Sequence, residues 1–298
     1  TYSGWTKGIE YFSHAIEADP NYALAYTGLA DAYYIVSNLY LPPREAMPKV
    51  KAAAMKALEL DETLAEAHTS LALARAFYDW DWLAAEKEFK RAIELNPGYP
   101  SVRRWYGRYL TTLARFDEAI TELRSAQQLD PLSPSINAEL SRPFLYTRQY
   151  DQAITYLQET LELEPNFWPA HLFLGWAYEQ KGQYTEAIAI LSHASALDDN
   201  PRTLASLAAA YAVAGQRDQA RKALNELVEQ SKQHYVSPYY IAGIHTGLGE
   251  KDLAFEWLER AYRDRSEWLV WLKVDPGLDS LRPDSRFTGL LRRVRLAP

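Results

Sequence analysis

The sequence predicts an all-α fold built as an array of repeated helix pairs, and three observations carry that prediction. Alanines and aromatic residues recur at helical spacing along all 298 residues, with no credible alternating strand among them. Pro or Gly stands at nearly every expected helix boundary, where Pro removes a helical donor and Gly supplies a turn. The third observation is self-similarity. The endings AIEADPNY (Ala15 to Tyr22), AIELNPGY (Ala92 to Tyr99), AQQLDPLS (Ala126 to Ser133) and TLELEPNF (Thr160 to Phe167) repeat one pattern, and Pro97, Pro131 and Pro165 follow at 34-residue intervals.

Residues 5 to 22 read as only the second helix of a unit, with Phe12 and Ala15 in packing positions. The missing first helix, with no initiator Met and no signal-peptide pattern, leads us to expect that Thr1 is a cut inside a longer protein. The next unit, Ala23 to Leu64, is eight residues too long. Its excess falls at SNLYLPP (Ser37 to Pro43), where a Pro-Pro pair predicts a protruding loop. Units then run over 65–99, 100–133, 134–167, 168–200, 201–234 and 235–268, the first of these carrying one extra residue around DWDW (Asp79 to Trp82). After Ala261 the pattern decays. Trp268, Leu269, Trp271 and Leu272 are expected to cover the exposed end of the stack, and Pro283 with Asp284 to start a last helix through Phe287, Leu290 and Leu291. Residues 269–298 thus read as the C-terminal cap that a repeat array requires, closing a single domain over 1–298.

The clearest unit, Trp168 to Asn200, carries Leu174-Gly175 and Tyr178 in its first helix, Gly182 at the turn, and Tyr184, Ala187, Leu191 and Ala194 in its second. Small residues let two helices approach, and rings fill the space between pairs. In these residues and in its period the chain resembles the tetratricopeptide repeat family, which implies antiparallel helix pairs wound into a right-handed α-solenoid superhelix with a concave groove. Three stretches go further: NYALAYTGLADAYY (Asn21 to Tyr34), Tyr40 to Ala72 with its following YDWDW, and Gly247 to Phe287. They resemble the C-terminal tetratricopeptide region of large bacterial signalling proteins, in which a winged-helix DNA-binding domain or a serine/threonine kinase domain precedes the array. That resemblance implies a sensory or regulatory module, involved in signalling or transcription regulation, whose effector domain lies upstream of Thr1.

Composition narrows the chemistry. The absence of cysteine excludes disulfides, thiolate metal sites and a Cys nucleophile. A net charge of −7 argues against nucleic-acid binding by this stretch, and no run approaches 18 apolar residues. No HExxH motif, ligand-spaced carboxylate with two histidines or nucleophile elbow is present. We therefore expect no enzyme activity, no catalytic residue, no metal and no cofactor. His68 and His171, at equivalent places in their units, read as packing residues, Asp79 and Asp81 as helix-capping acids, and the arginines of the tail as a solvated face. A cytoplasmic location is expected, or an extracytoplasmic one if a membrane span precedes Thr1.

Binding has more to work with. The family architecture implies that first helices line the groove, and the positions its packing pattern leaves free are Tyr34, Phe77, Arg104, Arg108, Arg142, Tyr146, Trp176 and Tyr239. Arg104 and Arg108 share a helix face, and Arg142 follows Arg108 by one period. Three converging guanidiniums suit carboxylate or phosphate, so the expected partner is an acidic protein or peptide segment, with a small anionic ligand as the alternative. Against this stand a pairing of Arg142 with Glu139 and the ordinary packing of rings at helical spacing. If the trio is open, reversing Arg104 and Arg142 to Glu removes partner capture without changing the unfolding curve.

Overall fold

The computed structural model describes residues 2–39, 41–197, 200–232 and 234–297, and these contain helices and turns without a strand. A lone helix, α1 (Tyr2–Ala18), precedes seven pairs. These are α2 (Ala23–Leu39) with α3 (Pro43–Leu60), α4 (Ala65–Ala74) with α5 (Trp82–Leu95), α6 (Pro100–Thr112) with α7 (Phe116–Leu129), and α8 (Pro134–Tyr146) with α9 (Tyr150–Leu163). They continue as α10 (Trp168–Gln180) with α11 (Tyr184–Leu197), α12 (Pro201–Val213) with α13 (Arg217–Gln230), and α14 (Pro238–Gly247) with α15 (Lys251–Arg263). No described helix is long and apolar enough to cross a membrane.

Local chemistry sets each boundary. Pro100, Pro134, Pro201 and Pro238 open first helices at the position where a missing N–H costs nothing. Within a pair the chain turns through one left-handed residue, at Ala114 (φ 63°), Arg148 (63°), Gly182 (75°), Gly215 (77°) and Gly249 (76°). Close approach is secured by Gly107 and Gly175, where an added Cβ would stand 2.5 Å from the Cγ of Leu123 or Leu191 on the partner helix. Across the gap, Ala46, Ala85, Ala119, Ala153, Ala187, Ala220 and Ala254 are all 0 % exposed, so the second-helix alanine is a packing requirement in every pair.

Two expectations are corrected, and the surplus residue near DWDW finds its place. The protruding loop at Ser37–Pro43 does not form: α2 continues through Leu39 and α3 starts at Pro43, while Tyr40 lies outside the described residues. The extra length goes into helix, 17 and 18 residues against 13 and 14 in the pair α6–α7. Pro43 is tolerated because it occupies a first helical position. The extra residue near DWDW is absorbed by a π-helical turn, Arg75–Asp79, whose wider winding takes in one residue. Trp80 then turns left-handed (φ 55°) and inward, stacking on Tyr262 with centroids 5.2 Å apart, while Asp81 caps α5 by accepting from the Ala84 N–H at 3.3 Å.

The second correction concerns the tail. After α15 the chain forms two 3₁₀ turns, Glu267–Trp271 and Pro276–Leu281, and a last helix, α16 (Ser285–Arg293), capped by Asp284 as expected and burying Phe287 and Leu290. Trp268 and Trp271 do not cover the end of the stack. They lie on the inner face of the superhelix, where Trp271 stacks on Tyr146 (5.0 Å between centroids) and Trp268 meets Tyr240 (5.3 Å). The tail also reaches the opening pairs. Trp82 Nε1 donates to the Val294 carbonyl at 3.2 Å, Arg44 Nε to that of Arg263 at 2.5 Å, and Arg265 Nη1 to that of Tyr78 at 3.3 Å. One buried cluster therefore joins Ala30 and Tyr34 to Trp268, Trp271 and Leu290. Flat indole rings cover the guanidiniums of the inner face, which a cap at the end of the stack would leave bare.

Candidate functional site

Of the residues expected to line the groove, Arg108, Arg142, Tyr146 and Tyr239 are met by the tail. Arg142 is 1 % exposed; it donates to Glu139 at 3.1 Å and to the Tyr146 hydroxyl at 3.0 Å, and lies 3.6 Å from the centroid of Trp271. Arg108 is buried among the rings of Phe77, Trp105 and Trp271, with Nη2 3.8 Å from Glu267 of the tail. Arg104, half-buried, lies over Trp105 at 4.0 Å. The expectation of an open anion-binding trio is thus corrected: the chain brings its own carboxylate and its own rings. Tyr34 and Phe77 are core, Tyr34 meeting Trp105 edge-on at 5.3 Å.

Sequence reasoning missed two members of this cluster. Arg202, in the first turn of α12, is buried with its guanidinium 4.1 Å over Trp268 and 5.0 Å from Trp176. Glu267 is 3 % exposed, and neither carboxyl oxygen has a hydrogen-bond partner. Burial raises its pKa to about 7, against the pull of Arg108, Arg202 and Arg142. The signal for Arg202 was its place on a first helix; Glu267 lies in the part of the chain where the repeat stops, so no period marked it.

The two histidines are structural. His68 Nδ1 is 2.5 Å from Glu88, which also pairs with Arg75, and His171 Nε2 is 2.8 Å from the Pro165 carbonyl. In the tail, Arg286 pairs with Asp252 and Asp284, and Arg293 with Glu259, as on a solvated face.

What the tail leaves open is a channel of about 710 Å³ between α10, α12 and α14 on one side and the turn 276–281 on the other. Of the eight expected residues, Tyr146, Trp176 and Tyr239 line it. Tyr240 adds a ring, and Ala205, Ala209 and Gly243 give depth. Its acids are Glu179, Asp275 and Asp279. Asp279 is paired with Arg148 at 2.5 Å and with Arg282 at 2.7 Å. Asp275 accepts from the Tyr239 hydroxyl at 2.7 Å and from the Gly277 N–H at 2.9 Å, and Glu179 from Gln180 Nε2 at 3.2 Å. Among the described residues neither of these two makes an ion pair. Enclosure raises both, Glu179 to about 7, with Asp275 repelling its charge. Neither acid was singled out in the sequence.

Helix pairs of one period, joined at left-handed turns and packed through small residues, define a helical repeat protein. Three tetratricopeptide repeat family models match, at residues 71–134, 145–202 and 206–234, and the chain is a tetratricopeptide repeat protein. Solved structures share the fold. PilF of Pseudomonas aeruginosa is 24 % identical, with 70 % of this chain and 91 % of that one covered and a TM-score of 0.52. PilW, a type IV pilus biogenesis factor, is 19 % identical, with 69 % and 91 % covered and a TM-score of 0.55. A monomeric mutant of IFIT1 with m7Gppp-AAAA is 16 % identical, with 99 % and 68 % covered and a TM-score of 0.67. At such identities the likeness is one of fold. No curated protein matches the chain.

Proposed function

We propose that the chain is a non-enzymatic protein-interaction scaffold, the regulatory module of a larger bacterial signalling protein, and that a partner segment enters the channel left beside the tail. The fold supports the coarse statement, since tetratricopeptide arrays hold protein or peptide partners. The observation that carries the finer one is the channel itself: about 710 Å³ of open groove lined by rings and by the carboxylates of Glu179 and Asp275, which make no ion pair among the described residues.

Gly243 offers the test. It lines the channel, and a Cβ added there meets nothing within 4 Å, so a side chain can leave the backbone at this point and Gly243→Phe is expected to occupy the channel. Proteins retained from a bacterial lysate by the unaltered chain are expected to be lost with this variant while the unfolding curve holds or rises. Identical retention overturns the channel as the point of entry.

A second reading, a sensor for a small anion, draws on donors that lack partners: Nε of Arg108 and Arg142, and Nε and Nη2 of Arg202. An anion there competes with Glu267 for the same guanidiniums. A thermal-shift screen of phosphate and small carboxylates separates the two readings, because a bound anion raises the melting temperature by mass action and a missing protein partner leaves it flat.

A further inference from the structure

We propose that the channel recognises a protonated amine or guanidinium, delivered by a lysine or arginine side chain of the partner segment, which seats between Glu179 and Asp275 and against the surrounding rings. This rests on the reading that a partner enters the channel.

Five rings, Tyr146, Trp176, Tyr184, Tyr239 and Tyr240, line the channel together with the two carboxylates. Ring faces carry partial negative charge, so rings beside carboxylates form an environment for a cation and a poor one for an anion. The other charges on the wall are already engaged. Lys181 Nζ is drawn outward to Asp151, and Arg148 and Arg282 hold Asp279. Arg282 donates to the Asp275 carbonyl at 3.0 Å and acts on its carboxylate only through space, so the hydrogen bonds of that carboxylate come from Tyr239 and Gly277. The hydroxyl of Tyr240, on the same wall, is buried without a hydrogen-bond partner. Arg108, Arg142 and Arg202, the groups that would draw an anion, lie behind Trp268 and Trp271. In a partly enclosed channel a carboxylate without an ion pair attracts a cation more strongly than it does in open water.

Calorimetry with a capped octapeptide of alternating Gly and Lys, its Gly-Glu counterpart, and spermidine tests the assignment. The Lys peptide is expected to bind, more weakly as salt rises, and the Glu peptide to give no heat. Glu179→Gln and Asp275→Asn are each expected to weaken the Lys peptide at least tenfold. Asn at 275 keeps an acceptor for the Gly277 N–H, and Glu179 bonds only to its neighbour Gln180, so both variants retain the fold, as an unchanged melting curve verifies. Undiminished binding by both variants, or binding of the Glu peptide, overturns the proposal. Spermidine binding that exceeds the peptide's reassigns the site to a free polyamine and overturns the partner as its source. If the Lys peptide fails while Gly243→Phe still abolishes retention, the cation assignment falls and the scaffold reading stands. Carboxylate-dependent peptide binding with unchanged retention by Gly243→Phe sinks the scaffold entry alone.

Discussion

Arg142 shows how a side chain whose phase suggests an open position can be buried by a distant part of the chain. Its direction into the groove follows from its spacing to Arg108; its burial depends on Trp271, which lies beyond the last repeat. Reversal at this position is therefore a stability mutation. Arg142→Glu leaves the Tyr146 hydroxyl without its donor and sets a buried carboxylate beside Glu139, a loss of about 3–5 kcal/mol. Arg148→Ala, removing a side chain 62 % exposed, costs less than about 1 kcal/mol. Urea unfolding of the two variants checks the contrast, and equal stability would show that the tail does not seat on Arg142. Glu179 and Asp275 could not be paired from the sequence for a related reason, since one ends a first helix and the other opens a turn of the tail.

At the scale of the element, what repeats is what could be read. The small first-helix residue, the turn residue and the second-helix alanine answer the same packing demand in each pair, so the period alone revealed them. The turn position also shows where the demand is met imperfectly. Gly182, Gly215 and Gly249 hold the left-handed conformation freely, whereas Ala114 holds it at φ 63° with a Cβ in the way. Ala114→Gly is expected to raise stability by roughly 0.5–1 kcal/mol, the strain relieved exceeding the entropy that Gly adds to the unfolded chain. A lower denaturation midpoint would refute this. The π-helical turn at Arg75–Asp79 was visible only as a surplus residue: the count gave its place, and the way a helix takes in one more residue had to come from the structure.

The whole molecule carries a pH signature of its polar interior. Glu179 and Glu267 are held at about 7 and Asp31 at about 6, all above the ordinary carboxylate range. A raised carboxyl in the folded state penalises folding fully above its own pKa, and the penalty fades as pH falls toward the unfolded value. His171, lowered by burial, acts in the opposite sense once pH drops below the usual histidine range. Glu86 and Asp284, both near 2, respond only in stronger acid. Stability is thus expected to rise between pH 8 and pH 6, by on the order of 1–2 kcal/mol, and Glu267→Gln to flatten part of that slope. Melting temperatures at constant ionic strength decide it, and a fall on acidification through this window contradicts the burial of these acids. The superhelix was readable in advance because the helix-on-helix packing that repeats runs within a pair and between adjacent pairs. The filling of its inner face was not, because it rests on contacts such as Trp82 with Val294, between residues with no periodic relation.

That contact also bears on the order in which the chain becomes a protein. Arrays of this architecture ordinarily fold by adding one unit to the next, each stable as soon as its neighbour is made. Here the segment that completes the interior of the first pairs is translated after every one of them. The emerging array holds its inner rings and guanidiniums uncovered until residues 264–297 follow, and sequence-distant closure is the slow kind of folding step. Synthesis of the tail, rather than of any one repeat, marks the moment at which the molecule acquires its finished interior.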